Sequence, residues 1–447
     1  MATGISYVIV ILDTSIVNVA LERITTGLAA GMTGLQWVLN AYTLTFASLL
    51  LTGGTLGDRL GARNIYIVGL GAFTLASALC GFAFSLPMLI AARVLQGVGA
   101  ALLVPASMSL INRSWNDARE RAAVFGLWAG LGGIAMAIGP LLGGILIGLS
   151  DWRSIFLINV PICLAGMVMA CRVTRDTPVS TTRRFDFAGQ ATGIAALALL
   201  NLAIINVPEY GWHSPVIVSC MVGALAAAVA FVMIETTHAQ PILPMGLFRS
   251  AVFSGAVFAS TVSAFTFYGL IFGLSLLLQQ QRGYTPMHTG LAFLPLTLLV
   301  PVGSLLSKHA VGRLGVKHLV TSAFLLAATG FFSLVAVSTS TQYWLLALPL
   351  PAIGFAASLI TPATTTALMS TVDNPRAGIA SGVLNAARQT GAAFGVALSG
   401  TLVSMNHSIA LGVRSSAMTA GSLSIFAAVM WWRTSMQTIH KSNPMPG

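Results

Sequence analysis

Three ionisable side chains, Asp13, Arg93 and Arg388, stand inside long apolar runs of this 447-residue chain. At 1.5 Å per helical residue, Asp13 lies about 15 Å into the first run. A carboxylate there is costly to keep charged without a partner, and one that is protonated in one conformation and ionised in another carries a proton. The bland alternative is structural: an acid at a helix N-terminus, or one held by an Asn or Arg. Arg93 is the expected neighbour, because the fourth run is antiparallel to the first and places Arg93 in its outer half. An arginine isolated in lipid costs at least about 2.5 kcal/mol, so each must face a cavity or a partner. Arg388 has no acid at matching depth. It either lines a cavity with Asn385 and Gln389 or snorkels in a purely structural role.

The other ten acids and all seven histidines fall near the ends of runs. No HExxH, no paired intramembrane carboxylates and no buried histidine are legible, so no metal site is expected and an intramembrane enzyme is disfavoured. The cysteines Cys80, Cys163, Cys171 and Cys220 lack metal or redox spacing and read as small packing residues.

Such residues must be held by helices in a bilayer. Only 7% of the chain is charged and 56% is apolar, with mean hydropathy +0.87; a soluble domain carries about 25% charged residues. A bilayer core about 30 Å thick takes about 20 residues per helix, and the runs recur often enough for about fourteen crossings. They lie near 4–21, 34–56, 65–84, 87–112, 122–148, 154–172, 187–207, 215–235, 251–279, 289–308, 317–337, 342–366, 377–404 and 409–432. With the N-terminus inside, sixteen of the 22 Lys and Arg fall in cytoplasmic segments and four, Arg23, Arg153, Arg282 and Arg414, on the other side. That positive-inside bias puts both termini in the cytoplasm. It also accounts for the net charge of +11 without a nucleic-acid partner. No cleavable signal peptide is visible, and the first run lacks a basic flank, which suggests a start upstream of Met1.

Two segments recur. Arg59-Leu60-Gly61-Ala62-Arg63 returns 254 residues later as Arg313-Leu314-Gly315-Val316-Lys317, and Arg121 has its counterpart 255 residues later in Arg376. The shared offset suggests two six-helix halves related by a parallel repeat, with two helices inserted between them. The first copy belongs to a longer loop, Gly54-Thr55-Leu56-Gly57-Asp58-Arg59-Leu60-Gly61-Ala62-Arg63. One acid and two bases in a tight turn can latch neighbouring helix ends, and glycine lets those ends approach closely. Gly312 stands where Asp58 stands in the first copy, so a latch is expected to rest on Asp58, Arg59, Arg63 and the Arg119/Arg121 group. The fifth run is glycine-rich, with Gly126, Gly130, Gly132, Gly133, Gly139, Gly143, Gly144 and Gly148. Pairs four apart such as Gly126/Gly130, Gly139/Gly143 and Gly144/Gly148 allow close helix packing. Pro140 removes a backbone hydrogen bond and kinks the run.

The order and spacing of that loop resemble the signature loop of the major facilitator superfamily. With Leu12-Asp13-Thr14-Ser15, Arg93-Val94-Leu95-Gln96-Gly97, Gly139-Pro140-Leu141-Leu142-Gly143-Gly144, Asp151-Trp152-Arg153 and Gly378 through Gln389, the chain from about residue 10 to about 405 looks like the fourteen-helix drug:proton antiporter family. The resemblance implies an all-α membrane protein of two six-helix bundles around a central cavity, residues 1–175 and 246–447, with two inserted helices in 176–245. It implies proton coupling through Asp13 and Arg93, gating by Gly54, Asp58, Arg59, Gly61, Arg63, Arg119 and Arg121, and an exporter-specific motif at Gly126, Gly139, Pro140, Gly143 and Gly144.

The expected function is proton-driven export of lipophilic small molecules across a bacterial-type cytoplasmic membrane. The expected working unit is a monomer without cofactor, driven by the proton gradient. The rival within transport is movement of one metabolite, amino acid or lipid by the same fold. One intramembrane acid against two bases leaves a neutral to positive cavity. Phe253, Phe258, Phe265, Phe267, Tyr268 and Phe272 offer either an aromatic surface for flat compounds or ordinary helix packing. Together these suggest a broad apolar range without strong cation preference.

Overall fold

The computed structural model describes residues 2–115, 117–173, 186–238, 241–336, 341–373, 376–406 and 408–442, without the side chains of 2, 113, 118, 119, 121–123, 173 and 435–442. Among the described residues the fold is all-helical and holds no strand. Among the described residues twelve helices are long and apolar enough to cross a membrane. We label these α1 (Thr3–Leu28), α2 (Met32–Leu60), α3 (Ala62–Gly81), α4 (Leu86–Asn112), α5 (Val124–Leu149), α6 (Ser154–Arg172), α7 (Phe187–Tyr210), α8 (Pro215–Thr237), α9 (Ala251–Gln281), α10 (Pro286–Ala336) and α11 (Tyr343–Met369). A further helix, α12 (Ala377–Met405), carries Arg388 and is not one of the twelve. The last is α13 (Ile409–Thr434). In lipid every backbone N–H and C=O must be paired within the segment, so charge-poor runs of this length have no alternative to helix.

Helix starts follow a local rule written in the sequence. Ser85, Ser214 and Thr285 each precede a proline in the first turn, and their hydroxyls accept from Met88 N, Val216 N and His288 N. Asp186 caps α7 by accepting from Gly189 N at 2.7 Å. The repeat is visible in the backbone. Gly61 ends α2 at φ 90°, and its counterpart Gly315 breaks the 51-residue α10 at φ 73°. Both are left-handed positions, where a Cβ would be strained.

Packing repeats as well. In the first half α4 lies against α2 and α3, and α1 against α5 and α6; in the second, α11 lies against α10, and α9 against α12 and α13. Close approach rests on glycine. A Cβ on Gly53 of α2 would stand 2.0 Å from the Ala101 carbonyl oxygen of α4, and one on Gly97 would stand 2.6 Å from the Tyr42 carbonyl oxygen of α2. Cross-half contacts run along two seams, α2 with α12 and α5 with α10.

The pair α7–α8 lies outermost. Its more buried member, α7, rests against both α2 and α12. Polar side chains anchor it: Gln190 bonds Thr52 and the Ser48 carbonyl (2.7 Å), Asn40 donates to Asn201 (3.0 Å), and Thr401 donates to the Ile204 carbonyl (2.7 Å).

Gly53→Val is expected to lower the apparent thermal midpoint of the detergent-solubilised protein, because overpacking costs about 1–3 kcal/mol. Gly130→Ala, where a Cβ meets nothing within 4 Å, should leave the midpoint unchanged or raise it. Equal midpoints for Gly53→Val and wild type would show that the α2–α4 crossing relaxes freely.

Candidate functional site

Asp13 and Arg93 meet. Asp13 is midway along α1 and fully buried; Arg93, on α4, is 1% exposed. Arg93 Nη1 donates to Asp13 Oδ2 in a short ion pair and to Gln96 Oε1 at 2.7 Å, while Nε donates to the Val38 carbonyl of α2 at 3.0 Å. The guanidinium lies 4.3 Å from the centroid of Tyr42 and 5.7 Å from that of Phe156, positions that favour a cation. Gln96 Nε2 donates to Asp13 Oδ1 at 2.8 Å and to Ser77 Oγ at 3.0 Å. Asn159 of α6 adds a third donor to the carboxylate, at 3.3 Å.

Five of the first six helices thus contribute to one ionic cluster. Gln96 and Asn159 are buried as completely as the ion pair. Gln96 ties both charges together. Its place one turn after Arg93 on the same helical face was a legible signal, since residues three apart are neighbours on a helix. Asn159 carried no such signal. The carboxylate is well satisfied when ionised, and protonation would remove the counter-charge from Arg93. That gives the cluster two distinct charge states in one buried space.

Beside it α1 is irregular. Thr14 and Asn18 bond their own backbone carbonyls at Val10 (2.8 Å) and Thr14 (3.1 Å), and Val17–Ala20 form a 3-10 turn. The glycines of α5 fit against this stretch. A Cβ on Gly139 would stand 1.9 Å from Ser15 Oγ, and one on Gly143 would stand 2.6 Å from Val19 and 2.7 Å from Ile16.

A second face of α5 looks toward the second half of the chain. On it a Cβ at Gly144 would stand 2.7 Å from the Pro286 carbonyl oxygen, and reciprocally one at Gly290 of α10 would stand 2.5 Å from that of Pro140. Thr297 also donates to the Ala137 carbonyl at 3.2 Å. Earlier on the same face Gly126, Gly130 and Gly133 have no described atom within 4 Å of a built Cβ. The α5–α10 seam is therefore shut at one end and open at the other. The shut end is reinforced by Gln36 of α2, which donates to the Ala397 carbonyl of α12 at 2.7 Å, and by Ser275 of α9, which donates to the Asn18 carbonyl. Close packing through Gly126/Gly130 is accordingly not formed, and of Gly144/Gly148 only Gly144 makes contact.

Asp58 and Arg59 end α2, Gly61 makes the turn, and Arg63 at the start of α3 donates to the Cys171 carbonyl at the end of α6 (3.2 Å). Gly54 lies 3.7 Å from Pro105 of α4 by its built Cβ. The side chains of Arg119 and Arg121 lie outside the described residues. On α12, Arg388 Nη2 donates to the Thr361 carbonyl and to Thr365 Oγ1, both at 2.8 Å. Asn385 is turned to its own helix, donating to the Ser381 carbonyl at 3.0 Å, and Gln389 keeps a buried oxygen without a partner. Of the α9 aromatics, Phe253, Phe267 and Phe272 are core residues, and Phe258 stacks edge-on against Phe426 of α13. Those four are packing residues; Phe265 and Tyr268, like Phe258, are half-buried. Among the described residues no group of three His, Cys, Asp or Glu could hold a metal.

A repeated helical bundle with a buried ionic cluster and two seams is the architecture of a multi-pass transporter. The family model of the Major Facilitator Superfamily matches residues 3–396, and the chain belongs to that superfamily. It is 38% identical over 440 residues to the methylenomycin A resistance protein of Bacillus subtilis, covering 96% of this chain and 94% of that one. It is 35% identical over 404 residues to the multidrug resistance protein Stp of Mycobacterium tuberculosis, covering 90% and 75%. A solved bacterial homologue of the human lysosomal transporter Spinster, inward-facing and unoccupied, shares the fold with a TM-score of 0.69 at 17% identity, over 100% of this chain and 98% of that one.

Arg93→Ala is expected to destabilise the protein by about 3–5 kcal/mol, because it strands a buried charge. Asp13→Asn combined with Arg93→Gln should recover most of that loss, since no net charge remains buried. Thermal unfolding in detergent reads both, and a double variant no more stable than Arg93→Ala would refute the coupling.

Proposed function

We propose that the protein is a proton-coupled antiporter that exports lipophilic small molecules, in the manner of multidrug efflux, across a bacterial-type cytoplasmic membrane. The observation that carries this reading is the wholly buried Asp13 carboxylate, held by Arg93, Gln96 and Asn159, in a fold whose seams close at one end. The names of its relatives, resistance to an antibiotic and to several drugs, support export over uptake. Asp13 exchanges the proton, Arg93 and Gln96 set how tightly it is held, and the turn containing Asp58 latches the outward-facing state. Protonation frees Arg93 from its counter-ion, which changes the packing of α1 on α4 and, through Ser15 and Val19, on the glycine face of α5. Pro140 lies between the two faces of α5 and transmits that change to the seam with α10.

Fourteen crossings follow if α10 is counted as two limbs either side of Gly315 and α12 crosses despite Arg388. Residues 1–175 and 246–447 are then the two bundles and 176–245 carries the inserted pair. Both termini lie in the cytoplasm, on the side toward which the α5–α10 seam is open, so the conformation described is inward-facing. The chain works as a monomer driven by the proton gradient alone.

In inside-out vesicles with an acid lumen, two unrelated lipophilic dyes are expected to accumulate with wild type and not with Asp13→Asn, at equal protein content. Retained pH-driven accumulation by Asp13→Asn would refute the assignment, and transport of neither dye by wild type would favour a carrier for one metabolite. Pro140→Ala should cut the pH-driven rate while leaving protein abundance within about twofold; equal loss of rate and abundance would make Pro140 a structural residue only.

A further inference from the structure

Among the described residues one half-buried intramembrane cation has no counter-charge. Arg388 stands on α12, and no described carboxylate pairs with it; the intramembrane acid Asp13 is committed to Arg93. Its Nη2 is used by Thr361 and Thr365 of α11. Its Nε is buried and bonded to nothing, and the next residue, Gln389, presents a buried carbonyl oxygen in the same condition. A guanidinium has five donors in a rigid fork suited to a carboxylate, and here the fork is partly idle.

The neighbours come from both halves of the chain. Tyr7 of α1 and Tyr268 of α9 lie within electrostatic range of the guanidinium. Tyr7 is stacked on Trp128 of α5 with centroids 3.6 Å apart and planes at 16°. The absence of a side chain at Gly132 makes room for that ring, since a Cβ there would stand 2.2 Å from it. The Trp128 indole N–H is also buried without a partner. A positive fork, unused donors and aromatic faces therefore gather where the halves meet. A solely structural arginine would be expected to use its buried donors on backbone carbonyls, as Arg93 does with Nε.

We propose that Arg388 anchors an acidic group, a carboxylate or an equally acidic enol or phenol, on the transported compound, while Tyr7, Trp128 and Tyr268 hold its lipophilic ring. This deepens and rests on the export reading above: the preferred substrates are lipophilic acids, and the guanidinium gains from the substrate the counter-charge that the protein withholds. Neutral lipophilic compounds bind through the aromatic surfaces alone, and lipophilic cations are excluded by repulsion. Arg388 is thus a specificity-determining residue, separate from the proton site at Asp13.

The test uses one fluorophore with three head groups: pyrenebutanoate, its methyl ester, and a pyrenebutyl trimethylammonium salt. Binding to the full chain in a neutral detergent is read by fluorescence anisotropy at pH 7. Wild type is expected to bind the acid at least about tenfold more tightly than either analogue. Arg388→Gln should weaken the acid about tenfold or more and change the ester less than about twofold, and Arg388→Lys should restore part of the preference. Equal affinity of wild type for acid and ammonium, or no binding of the acid, would overturn the proposal. So would a loss in Arg388→Gln that falls alike on acid and ester.

The three-probe comparison on wild type stands even if Arg388→Gln fails to fold. If wild type shows that preference yet no pH-driven accumulation in vesicles, the export reading fails and the anchor survives; the reverse pattern removes the anchor and leaves export standing.

Discussion

An ionised carboxylate and a guanidinium cannot sit in a hydrocarbon layer unless each is bonded on several sides. Asp13 and Arg93 meet that constraint by recruiting Gln96, Asn159, the Val38 carbonyl and the Tyr42 ring, and much of the first half is arranged around doing so. The contributing helices must cross within side-chain reach of one point. That requires the backbones of α2, α3 and α4 to approach closely, which explains why Gly53, Gly97 and Gly99 lie where even a methyl group would collide. Removing one partner leaves the other charge buried, so the cluster forms as a unit or not at all.

Helix α5 connects this unit to the rest of the molecule because its glycines are divided between two faces. Gly139 and Gly143 press on the irregular stretch of α1 that follows Asp13, whereas Gly144 presses on α10 of the second half. One face of α5 thus touches the helix that carries Asp13, and the other lies on the seam with the second half. Interfaces of this kind have discrete arrangements because packed surfaces without side chains cannot deform gradually. Helix α7 lies across the other seam, bonded to α2 through Asn40 and Gln190 and to α12 through Thr401. Its polar contacts tie both halves to one element.

Two intramembrane arginines in one chain are held in opposite ways. Arg93 is buried and saturated by its own protein. Arg388 is half-buried and keeps an unused buried donor. Composition alone makes them equivalent, since both are single cations in apolar runs. What separates them is only the set of helices brought alongside.

By itself the sequence determined the class of the molecule, its orientation signal, its repeat and the pairing of Asp13 with Arg93. These are properties each segment carries alone: lipid forces any long charge-poor run into helix, loop charge is counted along the chain, and antiparallel order sets depth. The recurrence of the Gly61 segment at Gly315 was legible along the chain, and the structure adds that both glycines take positive φ. Only the tertiary structure decided that Asn159 joins the carboxylate, that Asn385 turns back to its own helix, and that Gly126 and Gly130 face open space. It alone decided that most α9 aromatics serve packing and that Tyr7 stacks on Trp128 of α5. The physical reason is that lipid does not distinguish one apolar face from another, so hydropathy and periodicity place a helix in the membrane without orienting it. The rotation of each helix is set by small-residue contacts and buried polar bonds between segments far apart in the chain, and those exist only once the helices have packed.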